Sequence, residues 1–350
     1  MTKKAYIRED LMGFTPYKAD HVTGVIKLDA NENPYKMDEG VRENIINWLS
    51  EKENFSVYPD SNCDSLRNSI AKYYGVGEKQ VVCGVGSDQL IDCMMRGILM
   101  PWDAVVYPDP SFSMYQSVIT LNHGKGIPVS LKDDFSYDIE EMIKACHDND
   151  ARLLILCTPN NPTGNSLSLN QIRQIAKQVT CPIMVDEAYG EFNDESAISL
   201  INEFENIVVL RTFSKAYGLA GLRIGYGIGS EKALYPIEIA KPPYNVNTFT
   251  QMVAQTVIEN PNPYKIHIED MKRAREEIKQ ALEAMGLKVY PSDANFLLVE
   301  CDKIELDEYL KTKNIHIRGM NIRGKKMYRI SVGTKEQNEF VLENIKEAVN

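Results

Sequence analysis

The amino-acid sequence predicts an α/β fold, a mostly parallel central sheet flanked by helices and joined to a smaller α+β domain. Three observations carry this reading. Short, β-branched, nearly unpolar runs recur as far as residue 230, amphipathic stretches of helical period lie between them, and beyond that point long charged helical patterns and short strands take over. Runs that are apolar at every position suit strands covered on both faces, as in parallel sheets, whereas half-exposed strands alternate.

Residues 1–30 contain two turn signals and little periodicity, and are read as an N-terminal arm. A large domain is expected over 31–235. Its strands are placed at KQVVCGV (79–85), DAVVYP (103–108), ARLLILCTP (151–159), CPIMVDEA (181–188), NIVVLRT (206–212) and RIGYGIG (223–229). Helical patterns such as SDQLIDCMMRGIL and SLNQIRQIAKQV supply the crossovers that parallel neighbours require. A small domain, 236–350, is expected to open with helices from Asn247 to Glu259 and from Tyr264 to Met285. Strands at ANFLLVEC (294–301), NIHIRG (314–319) and KMYRISVG (326–333) follow, closed by the helix KEQNEFVLENIKEAV.

Composition narrows the function. The 350 residues are 43% hydrophobic and 25% charged, with 39 Lys+Arg against 49 Asp+Glu and a formal net charge of −10. Nucleic-acid binding needs a concentrated basic face, and the basic segment from Arg323 to Lys326 is too short to provide one. Seven cysteines form an odd set without a CxxC pair, which fits buried, reduced thiols in the cytoplasm. The N-terminus has no signal-peptide core and no run of 18 apolar residues occurs, so neither secretion nor a membrane is expected. The five histidines have neither metal-ligand spacing nor a neighbouring nucleophile, and no metal site is expected. CGVGSDQ lacks the third glycine of a dinucleotide fingerprint, where Gln89 stands.

In sheets of this kind ligands bind beyond the carboxyl ends of the strands, so the residues just past each apolar run are informative. There the chain carries TPNNPTG with Asn160, Asn161 and Gly164, DEAYGEF with Asp186 and Tyr189, and FSKAYGLAGLR with Ser214, Lys215 and Arg223. Each alone has an ordinary explanation as a turn, a cap or a solvated lysine. Together an amide, a carboxylate, a phenol, a lysine and an arginine converge on one crevice, which suits pyridoxal 5′-phosphate. That cofactor needs a lysine to hold it as a Schiff base and an acid to keep its pyridine nitrogen protonated, needs that Lys215 and Asp186 meet. Asn161 and Tyr189 would donate to the ring's phenolic oxygen, and Arg223 and Ser214 would hold the phosphate. Gly86, Ser87 and Asp88 follow a strand and open a helix, where backbone N–H groups attract anions.

These segments resemble the fold-type I, class I/II pyridoxal-phosphate aminotransferases over nearly the whole chain. Within that family TPY (15–17), LDANENPY (28–35), VYPD (57–60), GSDQLI, PSFSMY (110–115), SKAYGLAGLR, PYNVN (243–247) and YRISVGT (328–334) are similar to the histidinol-phosphate aminotransferase branch. The resemblance implies Lys215 as covalent anchor and proton carrier, Asp186 as pyridinium partner, and Asn161 with Tyr189 as phenolate donors. It implies Arg223, Ser214, Thr212, Ser87 and Asp88 around the phosphate, and Tyr58 reaching the cofactor of a second subunit, hence a homodimer with shared active sites. Phe112 falls at the ring-stacking position, where a tyrosine or tryptophan often stands; it keeps the π-face and loses the hydroxyl. At the substrate end the resemblance implies Arg329 for a carboxylate and Arg318 as a second cation for a substrate phosphate, with Asn161 and the Tyr17 hydroxyl beside them. Guanidinium forks suit both anions.

The implied reaction is ping-pong amino transfer between glutamate/2-oxoglutarate and imidazole acetol phosphate/L-histidinol phosphate, in histidine biosynthesis. The cofactor machinery alone leaves open decarboxylation of threonine phosphate and transamination of aromatic amino acids. A ligand-sensing module of a transcription regulator is disfavoured, because the pattern begins within about 20 residues of Met1 and leaves no room for a helix-turn-helix unit.

Overall fold

The computed structural model describes residues 6–16, 23–52, 55–302 and 304–349. A short strand β1 (Ile26–Lys27) precedes the main sheet, whose strands are β2 (Val81–Gly84), β3 (Ala104–Asp109), β4 (Lys125–Ser130), β5 (Leu153–Cys157), β6 (Ile183–Asp186), β7 (Ile207–Thr212) and β8 (Gly225–Gly229). Their spatial order is β2-β8-β7-β6-β5-β3-β4, and every pairing is parallel except the two made by β8. The six expected strands of this region all form; five are shorter than their apolar runs, and β3 keeps its length one residue further along. The edge strand β4 had no such run to announce it: KGIPVS is mostly polar or half-exposed, as an edge permits.

The helices are α1 (Glu39–Glu51), α2 (Asp64–Tyr74), α3 (Gly86–Ile98), α4 (Met114–Leu121), α5 (Ile139–Asp148), α6 (Leu169–Ala176), α7 (Glu231–Ala240), α8 (Thr248–Glu259), α9 (Asn262–Ala284), α10 (Leu306–Thr312) and α11 (Lys335–Val349). Local chemistry fixes several starts. Ser168 and Gln171 form a capping box on α6, Ser230 caps α7, and the Asn247 side chain accepts from the Thr250 N–H to begin α8. Strand alternation sends Val105, Ile155, Met184 and Val208 to one face, against α3, α4 and α7, and Val106, Leu154, Val185 and Val209 to the other.

The C-terminal segment builds a second, antiparallel sheet in the order β12-β13-β10-β9, from β9 (Lys288–Val289), β10 (Phe296–Glu300), β12 (Arg318–Ile322) and β13 (Lys325–Ser331). The run NIHIRG divides: Ile315–His316 forms β11, which pairs in parallel with β1, and Arg318 starts β12. The end of the N-terminal arm is thus tied to the C-terminal half of the same chain. Among the described residues no helix is long and apolar enough to cross a membrane.

Candidate active site

Register gathers the site at one edge of the main sheet. Thr212, at the end of β7, pairs with Gly225 at the start of the antiparallel β8, and Gly225 pairs with Gly84 at the end of β2. Antiparallel return is what brings Arg223 to the same edge as Asp186, Lys215 and the N-terminus of α3. Close backbone approach there requires glycine: a Cβ on Gly225 would lie 2.4 Å from the Ser87 nitrogen, and one on Gly86, whose φ is +74°, would lie 2.7 Å from Arg223 Nη2.

Asp186 is 4% exposed. Its Oδ2 accepts from the Tyr115 hydroxyl at 2.6 Å and its Oδ1 from the Ala188 N–H at 3.1 Å, and it has no ion pair among the described residues. Burial pushes the carboxyl up to about 6. Lys215 donates from Nζ to the Ala30 carbonyl at 2.8 Å and lies 5.7 Å from the centroid of the Tyr189 ring. Burial, followed by the nearby Arg329 charge, pulls its ammonium down to about 8. Tyr189, its phenol raised to about 12 by burial, accepts from Asn31 Nδ2 at 2.8 Å, which leaves its own O–H to donate. Asn161 accepts through Oδ1 from Arg329 at 2.5 Å, leaving its N–H groups as donors. Its neighbour Asn160 is committed to the loop, bonding Pro110 O, Thr163 Oγ1 and Ser111 Oγ.

At the other end Arg223 donates from Nη2 to Asp88 Oδ2 at 2.8 Å and from Nη1 to Ser214 Oγ at 3.3 Å, while the Ser214 N–H donates to Thr212 Oγ1 at 3.1 Å. Ser87 is buried in the first turn of α3. The Asp88 carboxylate holds Arg223, and because an ionised carboxylate cannot donate to a phosphate, its backbone N–H is the group it would offer there. The Phe112 ring meets Tyr115 edge-on at 5.5 Å. Tyr58 is 76% exposed and stacks on Tyr244 at 4.5 Å, turned away from its own chain's core. Arg329 Nη2 also donates to the Asp29 carbonyl at 2.5 Å. Arg318 is exposed and is the direct cross-strand partner of Arg329, so both side chains leave the same face of the small sheet. Tyr17 lies outside the described residues.

Three contributors were not singled out from the sequence. Asn31, at φ 55°, bonds Tyr189 through Nδ2 and Ser331 through its N–H and Oδ1. Asn33 Nδ2 holds the Ala216 carbonyl beside Lys215, and Tyr115 holds Asp186. A polar run, LDANENPY, in a segment without periodicity was the available signal for the first two; Tyr115 sits in an amphipathic helix and reads as core.

The residues present fit pyridoxal phosphate. A buried carboxylate without a counter-cation among the described residues suits a protonated ring nitrogen, a buried lysine with lowered pKa follows the neighbouring strand, and a glycine-lined cradle faces an arginine, two hydroxyls and a helix N-terminus. Such a site on such a sheet defines a fold-type I pyridoxal-phosphate enzyme. The family model for aminotransferase class I and II matches residues 23–345, and the chain belongs to that family. It is 36% identical to the histidinol-phosphate aminotransferase of Ruminiclostridium cellulolyticum, over 97% of each chain. It is also 36% identical to that of Thermoanaerobacter pseudethanolicus, over 97% of this chain and 98% of the other. The solved histidinol-phosphate aminotransferase of Sinorhizobium meliloti, in complex with pyridoxal-5′-phosphate, shares the fold with a TM-score of 0.86 at 22% identity, covering 93% of this chain and 90% of that one. This chain is a pyridoxal-phosphate-dependent aminotransferase.

Proposed function

We propose that the chain transfers an amino group reversibly between L-glutamate/2-oxoglutarate and imidazole acetol phosphate/L-histidinol phosphate, in histidine biosynthesis. The observation that carries this reading is the full-length similarity, 36% over 97% of the chain, to two histidinol-phosphate aminotransferases. The same-face placement of Arg329 and Arg318 adds to it, since glutamate brings two carboxylates and histidinol phosphate one phosphate.

When bound, the cofactor supplies an electron-accepting ring conjugated to the substrate nitrogen. Lys215 would hold it through Nζ, and once the substrate amine displaces that nitrogen the freed amine would take the proton from the substrate α-carbon and return it at the cofactor's C4′. An ammonium lowered to about 8 has an appreciable neutral fraction near neutral pH, as a base requires. Asp186 keeps the ring nitrogen protonated, and Tyr189 and Asn161 donate to its phenolic oxygen. Gly86, Ser87, Asp88, Thr212, Ser214 and Arg223 hold the phosphate, with Phe112 against the ring. Tyr58, exposed on its own chain, reaches the site of a second copy, making a cytoplasmic homodimer the working form; seven buried, unpaired cysteines fit that compartment.

The test mixes cofactor-loaded protein with L-histidinol phosphate and, separately, with threonine phosphate, following cofactor absorbance and trapped carbon dioxide. A lasting absorbance change with histidinol phosphate and no carbon dioxide is expected. Carbon dioxide from threonine phosphate without that change would replace the reading with a decarboxylase.

A further inference from the structure

Behind the site lies a buried ion cluster that the proposed reaction does not use. Arg211, 3% exposed, is one residue before Thr212, and Glu187, 2% exposed, is one residue after Asp186. Arg211 Nη2 meets Glu187 Oε2 at 2.7 Å and Nη1 meets Glu191 Oε1 at 3.0 Å. Ser196 Oγ bridges, accepting from Arg211 Nη2 at 3.0 Å and donating to Glu187 Oε2 at 2.8 Å, and Glu187 Oε1 takes the Ala197 N–H at 2.6 Å. The Tyr74 ring lies 5.9 Å from the guanidinium, and Tyr74 and Tyr226 share a hydroxyl contact of 2.7 Å.

Its position follows from the pleat. Successive strand residues face opposite sides, so Glu187 and Arg211 occupy the side of the sheet end away from Asp186 and Thr212. One guanidinium therefore pins two adjacent strand ends whose next residues are, at one, the ring-nitrogen carboxylate and, at the other, the phosphate-end threonine. It also pins the turn between them. Glu187 and Glu191 flank Tyr189, and Gly190 packs on the guanidinium so closely that a Cβ there would lie 2.6 Å from Arg211 Cζ. As a stabiliser the cluster is poorly made: one cation faces two carboxylates in a dry interior, the Glu191 oxygens and Arg211 Nε are buried without a side-chain hydrogen bond of good geometry among the described residues, and burial raises the Glu191 carboxyl above its ordinary range. Buried ion groups of this kind are commonly replaceable by apolar residues without loss of stability. What an apolar core would lose here is a fixed distance between three cofactor-facing groups.

We propose that Arg211, with Glu187, Glu191 and Gly190, is a positioning clamp that sets Asp186, Tyr189 and Thr212 in register for the cofactor's ring and phosphate together. The clamp rests on the cofactor site proposed above and is independent of which amino donor is used.

Three variants test it: Gly190→Ala, which pushes a methyl into the guanidinium; Glu191→Gln, which keeps shape and removes one charge; and Arg211→Lys, which keeps charge and removes the fork. Each is read by fluorescence titration of cofactor-free protein with pyridoxal phosphate, by the pH at which the bound cofactor's absorbance changes, and by urea unfolding of the cofactor-free form. The expected result is at least a tenfold weaker cofactor affinity and a displaced absorbance titration in Gly190→Ala and Arg211→Lys, with a smaller displacement in Glu191→Gln. The unfolding midpoint of Glu191→Gln should stay near that of the unaltered protein, whereas Gly190→Ala, whose methyl displaces a guanidinium held on two sides, should lose modest stability while losing cofactor affinity out of proportion to it. Unchanged affinity and titration in folded Gly190→Ala and Glu191→Gln would overturn the clamp, as would affinity losses that merely track lost stability. Failure of the unaltered protein to bind pyridoxal phosphate at Lys215 would instead overturn the cofactor site itself.

Discussion

The two ends of the active site hold their charges differently. At the ring end Asp186 and Lys215 are withdrawn from water without an ion pair among the described residues, and both are shifted toward neutrality, the carboxyl up to about 6 and the ammonium down to about 8. At the phosphate end Arg223 and Asp88 form an ion pair whose side chains are about half exposed. Desolvation stores chemical reactivity at the first end, and a solvated pair whose partner can be exchanged for an incoming phosphate suits the second. An enzyme of this class needs both: a fixed, tuned ring environment and a phosphate anchor that forms without a large desolvation cost.

The largest effect expected from breaking that contrast is at Lys215. Lys215→Ala should abolish turnover and the borohydride-trapped adduct, and a trapped adduct on another lysine would move the site. In the unaltered cofactor-free protein, capture of pyridoxal phosphate should accelerate as pH rises through about 8, because the neutral amine is the nucleophile. Next in size is Asp186→Asn, which should retain cofactor and lose on the order of a thousandfold in rate, the scale of a lost electrostatic group in an active site. Near-normal turnover would remove its assigned role. Arg318→Ala should raise KM for the phosphorylated substrate about tenfold more than for glutamate, the scale of one charge-assisted hydrogen bond; equal losses would show no phosphate preference.

The smallest effect separates the two ends most cleanly. An acid whose folded pKa of about 6 exceeds its unfolded value of about 3.9 favours folding below the unfolded value, and that contribution disappears as pH rises through 6. Cofactor-free Asp186→Asn should therefore gain stability on the unaltered protein as pH rises from about 4 to about 6, levelling off above that at about 3 kcal/mol in urea unfolding. Asp88→Asn, at the exposed end, should change stability by under about 1 kcal/mol. A pH-independent difference for Asp186→Asn would mean that no ionised carboxylate is buried there.

Much of the site was legible because its residues follow apolar runs, and a run of unpolar residues announces both a buried strand and where that strand ends. Asp186, Lys215 and Asn161 were found that way. Tyr115 was not, since a tyrosine on the apolar side of an amphipathic helix gives the same pattern whether it fills the core or bonds a carboxylate. Nor was Arg211, which lies inside the run NIVVLRT and was read only as part of that strand. The edge strand β4 lacked an apolar run because one of its sides is unpaired, and the arm's last residues lacked periodicity because they are fixed by contacts with distant residues, such as the Leu28 carbonyl with Ser331, 303 positions away.

The sequence by itself determined the class of fold, the strand ends that carry the chemistry and the residue types that suit the cofactor, because hydrophobic period and turn chemistry act over a few residues. Only the tertiary structure decided that β8 returns antiparallel to bring Arg223 to Thr212, that Asn31 and Ala30 reach Tyr189 and Lys215, and that Arg318 stands beside Arg329. Those are pairings between distant segments, selected by how the whole core packs, and no local pattern records them.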